Sequence, residues 1–146
     1  MTDEHRTLWF AEPSAEYLVQ PPLVVDCSLV AALLFDESER DIAYDRLTGR
    51  HLFAPRLLGY EMVNVSLKKL HRGMAISDVE QAVDDFHRMD IDLLDVPTRS
   101  LLPLARRFIL SAYDASYLWL AAELKAPLAT FDARLGEAAR IHLASL

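Results

Sequence analysis

A single cysteine, four glycines and no apolar run near the roughly 20 residues of a membrane-spanning helix set the first limits on this chain. Cys27 alone makes no internal disulfide, so a reducing cytoplasm is the expected setting. With so few glycines there is no glycine-rich phosphate cradle, and neither a P-loop nor a G-x-S-x-G elbow occurs. The five histidines, His5, His51, His71, His87 and His142, show no paired spacing, which argues against a zinc centre. Nothing marks a base for a Cys27–His hydrolase, and a small buried thiol is the simpler reading of that cysteine. Positive charge is also scarce: 15 Lys and Arg stand against 22 Asp and Glu, a net charge of −7. A protein that coats nucleic acid by general electrostatics is normally basic. A nuclease that bridges phosphate through cations is not excluded, because its site must itself be acidic.

What is present suits one globular domain: 146 residues, 52% of them hydrophobic. The first 22 residues carry early acids, three prolines and no long apolar core, so they read as an extension rather than a signal peptide. Trp9, Phe10 and Tyr17 suggest that the extension docks. Beyond it, strands are expected at residues 23–26, 51–55, 91–97 and 126–132, and a last edge strand at 141–146. Helices are expected at 28–35 with Ser28 as N-cap, 39–48, 56–71, 77–89 with a Ser77/Glu80 capping box, 98–108, 111–124 and 133–140. Pro103 is tolerable only in a first turn. This alternation implies an α/β fold with a mostly parallel sheet covered on both faces. Ligands of such sheets bind beyond the carboxyl ends of the strands.

Most acids lie in polar runs such as "FDESERD" or "VDDF" and read as solvated faces. Four do not. Asp26 follows "LVV", Glu61 sits inside "LLGYEMVNV", Asp114 opens "SAYDASYLWLA" and Asp132 follows "LATF". Each has an ordinary explanation as a helix cap, a helix-dipole acid or a lysine partner. Asp26 and Asp132, however, both end predicted strands on the same edge. Clustered carboxylates repel and take up protons unless a cation is present. Hard divalent ions prefer such oxygen donors, and phosphodiester hydrolysis without a protein nucleophile is the chemistry they support.

The ordered set "VVDCS", "YEMVN", "AYDASYLWLA" and "LATFD" resembles the PIN-domain ribonucleases, especially the VapC-type toxins of toxin–antitoxin pairs. The resemblance spans residues 23–146 and sets 1–22 apart. It implies a PIN-like three-layer α/β/α sandwich and a Mg²⁺- or Mn²⁺-dependent endoribonuclease. Asp26 and Asp114 would be the main metal ligands, with Glu61 and Asp132 completing the pocket. Ser28 and Thr130 match small polar positions near the site. Asn64, one helical turn after Glu61, would orient it, while Lys68 is better read as solvated. A VapB-like antitoxin and a homodimer are implied as partners, with Leu33, Leu34, Phe35, Tyr44, Leu57 and Tyr60 as candidate groove residues. A haloacid-dehalogenase-type site wants an acid where Ser28 stands and a late lysine, and none follows Lys125. A receiver-type module wants paired acids after the first strand, which are also missing. A PIN domain used only for binding is the remaining rival.

Overall fold

A computed structural model describes residues 5–12 and 20–146. Pro13 and Tyr17 of the extension lie outside the described residues. The strands are β1 (Trp9–Ala11), β2 (Pro22–Val25), β3 (His51–Pro55), β4 (Ile91–Leu94) and β5 (Leu128–Thr130). They form one sheet in the order β1-β5-β2-β3-β4. Pairing is parallel from β5 through β2 and β3 to β4, while β1 runs antiparallel on β5. The helices are α1 (Cys27–Leu34), α2 (Arg40–Leu47), α3 (Leu58–His71), α4 (Ile76–Arg88), α5 (Leu101–Phe108), α6 (Ala112–Leu124) and α7 (Ala133–Leu143), with a short 3₁₀ turn at Thr98–Ser100. Helices α1 to α4 pack on one another, α5 to α7 form a second group, and the sheet lies between as the middle of three layers. No described helix is long and apolar enough to cross a membrane.

Central position explains the composition of the strands. Leu23, Val24 and Val25 are wholly buried, so β2 needs apolar residues on both faces and shows no alternation. Helix α6 is buried nearly all round, at Ala115, Ser116, Tyr117, Leu118, Leu120 and Ala121. Pro103 falls in the first turn of α5, where its missing N–H costs nothing. Gly73, at φ +96°, provides the left-handed turn that ends α3.

Four local expectations are corrected. Residues 141–146 form no strand: Leu135, Ala139 and Leu143 recur at helical spacing and are buried, so α7 runs on through Ile141. The open sheet edge is taken instead by β1, so Trp9–Ala11 of the 1–22 segment belong to the sheet. Ser77 does not cap α4. The helix begins at Ile76, with Asp78 and Val79 N–H both bonded to the Ala75 carbonyl, which leaves Ser77 inside the first turn. Ser28 does not cap α1 either, because Asp26 does. Finally, "FDESERD" is not wholly solvated. Glu39 is only 3% exposed and accepts hydrogen bonds from the Arg6 backbone N–H at 2.8 Å and from Arg6 Nε at 3.2 Å. Arg6 also pairs with Glu37, which Lys69 joins at 3.1 Å, and its guanidinium lies 5.4 Å from the Phe131 ring centre.

Candidate active site

The carboxyl end of β2 delivers Asp26 directly to the N-terminus of α1. Its extended backbone and side-chain acceptor make it the cap, with Oδ1 taking the Leu29 N–H at 3.2 Å. The Ser28 hydroxyl donates to the same oxygen at 2.7 Å, and the Thr130 hydroxyl, from the end of β5, donates to Oδ2 at 2.5 Å. A hydroxyl has one proton to give. With both protons committed to Asp26, Ser28 Oγ accepts from Phe131 N–H at 2.9 Å and Thr130 Oγ1 accepts from Asp132 N–H at 2.9 Å. Two small hydroxyl residues thus lock the ends of adjacent parallel strands together. They also fix the backbone of residues 131 and 132. An ionised carboxylate has about four lone-pair directions. Three donors reach Asp26 among the described residues, so one direction on Oδ2 is unclaimed.

Asp114 enters from the other layer. The Ser111 side chain caps α6 by accepting Asp114 N–H at 3.1 Å, which places the acid in the first turn. Glu61, in the first turn of α3, accepts a 2.6 Å hydrogen bond from the Tyr117 hydroxyl. Asp132 is exposed and caps α7 through Leu135 N–H at 2.8 Å.

Electrostatics tie these positions together. Burial pushes the Asp26 carboxyl up to about 6, against the pull of its three hydrogen bonds, and the charge on Asp114 adds to the rise. Burial also raises Glu61, opposed by Tyr117 and helped by Asp114. Asp114 rises through burial and then through Asp132, with Arg134 opposing. Asp114 is therefore the centre of a like-charged cluster that includes all the other three. No ion pair among the described residues reaches any of the four.

Among the described residues no group of three or more His, Cys, Asp or Glu side chains is placed to hold a metal ion. The donor set still suits Mg²⁺ or Mn²⁺. It is all oxygen, with Asp26 buried and Glu61 and Asp114 half-buried, it has no ion-pair partner among the described residues, and Mg²⁺ usually takes only one or two protein carboxylates beside waters and phosphates. Asp26, with its free lone pair, and Asp114 are the two that fit.

Asn64 is exposed and makes no hydrogen bond to Glu61. The orienting contact comes from Tyr117, which is 1% exposed. Its signal was present in the sequence, since Tyr117 lies one helical turn after Asp114 and shares its face. Cys27 is half-buried with Sγ 3.8 Å from Met62 Sδ, and burial together with Glu61 and Asp26 raises the thiol to about 12, so it is inert.

Comparison with known proteins shows the family and the fold. The PIN domain family model matches residues 23–141. Ribonuclease VapC3 from Pyrobaculum aerophilum is 28% identical over 121 residues, covering 79% of this chain and 92% of that protein. The crystal structure of PAE2754 from the same organism superposes with a TM-score of 0.64 at 22% identity, over 92% of this chain and 100% of that one, a likeness of fold. The chain belongs to the PIN-domain family.

Proposed function

We propose that the chain is a Mg²⁺- or Mn²⁺-dependent endoribonuclease, the toxin of a toxin–antitoxin pair, acting in the cytoplasm. Its substrate is RNA, its inhibitor a VapB-like antitoxin, and its working form a homodimer. The observation that carries the catalytic part is Asp26: a buried carboxylate with one open lone pair, facing a second acid and, among the described residues, no ion-pair partner. The curated relative's name, a VapC ribonuclease, supports the substrate class and the toxin role.

The chain's own residues divide the work. Asp26 and Asp114 would hold the ion, Glu61 and Asp132 would complete the acidic pocket, and Tyr117 aims Glu61. Ser28 and Thr130 keep Asp26 in place and ionised by donating to both its oxygens. When bound, the ion supplies positive charge to the scissile phosphate and orients the attacking water.

Calorimetric titration with Mg²⁺ and cleavage of a structured RNA test the reading together. The native chain should bind Mg²⁺, gain thermal stability from it, and leave 5′-phosphate ends. Asp26→Asn and Asp114→Asn should lose both responses while remaining folded. Full cutting by either variant would reject the assignment. Growth arrest on expression, relieved by a neighbouring small reading frame, tests the toxin role, and healthy growth would count against it.

A further inference from the structure

A second feature lies beside the acids, on the other side of Asp132. The corner between α5 and α6 and the exposed side of α7 enclose an open groove of about 600 Å³, lined by Trp9, Arg107, Phe108, Ile109, Arg134 and Ile141 among others. Trp9 reaches it from β1, where the ring packs directly on the α7 backbone at Gly136. Arg134 is two residues past Asp132, and its charge is felt at Asp114, so groove and acid cluster adjoin. Arg107 and Arg134 are exposed and have no ion-pair partner among the described residues, and Arg106 beside them is the same. The one acid among the described residues that line the groove, Glu137, is already held by Arg140 through bonds of 2.6 and 3.0 Å. In a chain of net charge −7, these three arginines form a basic strip without ion pairs among the described residues. Ile109 is 78% exposed with φ 54°, a left-handed backbone that a β-branched residue rarely adopts.

We propose that this groove holds the single-stranded part of the RNA next to the scissile phosphate, with Arg107 and Arg134 on backbone phosphates and Trp9 as a platform for a base. The proposal rests on the ribonuclease reading above and adds a subsite to it. Aromatic surface beside unpaired arginines is the general chemistry of single-strand binding, because every base offers a π-face and every nucleotide a charge. An apolar peptide would suit Ile109 and Ile141 but would strand the arginines. RNA uses both, and it must in any case continue past the acids. An acidic centre repels phosphate, so flanking cations on a strand-wide path are what let the substrate approach.

The test is binding of a labelled 12-nucleotide single-stranded RNA to the full chain in an Asp26→Asn background, across a salt series. Arg107→Ala with Arg134→Ala should weaken binding about tenfold and make the plot of log affinity against log salt shallower by about 1.4, two phosphates at about 0.7 each. Arg107→Lys with Arg134→Lys should keep the slope. Trp9→Leu should weaken binding with the slope unchanged. A distant control, Arg88→Ala on α4, should do nothing. If the native chain cuts RNA but the double alanine variant binds with unchanged affinity and slope, the subsite is wrong and the nuclease reading stands. If the native chain neither binds nor cuts RNA with Mg²⁺, the nuclease reading fails and takes the subsite with it. If the groove variants keep RNA yet shed a polypeptide that copurifies with the native chain, the groove belongs to a protein partner and the proposal is overturned.

Discussion

Arg6→Ala is the sharpest test of how the N-terminal segment is held. Glu39 is 3% exposed. Burial alone would raise its carboxyl, but the side-chain and backbone hydrogen bonds from Arg6 overcome this and bring it down to about 2, from an ordinary 4.5. At about 1.4 kcal/mol per pH unit, that depression corresponds to about 3 kcal/mol of folding free energy at neutral pH. The guanidinium does not own all of it. Arg6 is 44% exposed and screened by water, while its backbone N–H still serves Glu39 in the variant, so about 1.5 kcal/mol is the expected loss. For a chain of this size that lowers the melting temperature by about 3–6 °C. Because the Glu39 pKa is depressed in the folded state, its contribution is complete above pH 4.5 and fades as pH falls towards 2. The gap between native and variant should narrow over that window. Urea unfolding at pH 7, 4.5 and 3, with Glu39→Gln closing a double-mutant cycle, measures both quantities. A gap under about 0.3 kcal/mol at pH 7, or one that widens on acidification, would refute the reasoning.

Three further outcomes follow from the same contacts. A Cβ at Gly136 would stand 2.2 Å from Trp9 Cβ and Cγ, so Gly136→Ala should cost about 1–3 kcal/mol and remove amide-exchange protection from Trp9–Ala11. Tyr117→Phe deletes the hydroxyl that serves the Glu61 carboxylate, and urea unfolding should show a loss of about 1.5–3 kcal/mol. Ile109→Gly relieves a left-handed residue at the end of α5 while giving up little buried area, so its melting temperature should rise by about 2–4 °C.

Legibility divides along the line between local and distant causes. The apolar run Leu23–Val25 and the dense helix around Tyr117 are local patterns, and both elements form where their residues predict. The three residues of β1 carry no such pattern, because their reason to be extended is the open edge of β5, and a sequence does not display an unpaired edge. Glu39 looked solvated for the same reason: its partner, Arg6, comes from the far side of β2. At the site, the residue types were visible and their partners were not. Ser28 reads both as a helix cap and as a small hydroxyl near the site, but neither reading shows that it joins Asp26 to the Phe131 backbone across two strands. Helical spacing from Glu61 points to Asn64, but the side chain that bonds Glu61, Tyr117, stands on another helix.

The four acids are therefore not equal in what they imply. Asp132 is exposed, and it caps α7 with a good hydrogen bond, an ordinary structural role for such an acid. Glu61 has a neutral donor and a moderate environment. Asp26 is different. A helix cap needs one N–H from the first turn, and Leu29 provides it. Capping does not require that the carboxylate be buried, nor that a threonine from β5 be recruited to it, nor that Asp114 stand near enough to raise its proton affinity further. Burial and the charge on Asp114 make the ionised form harder to keep, and the hydroxyls of Ser28 and Thr130 only partly offset them. A fold selected for stability alone would place asparagine or serine at this junction, either of which caps as well without a charge to bury. The aspartate makes physical sense when a positive charge arrives opposite its free lone pair, and under the proposed nuclease reading the divalent cation is the group that would also have work to do there.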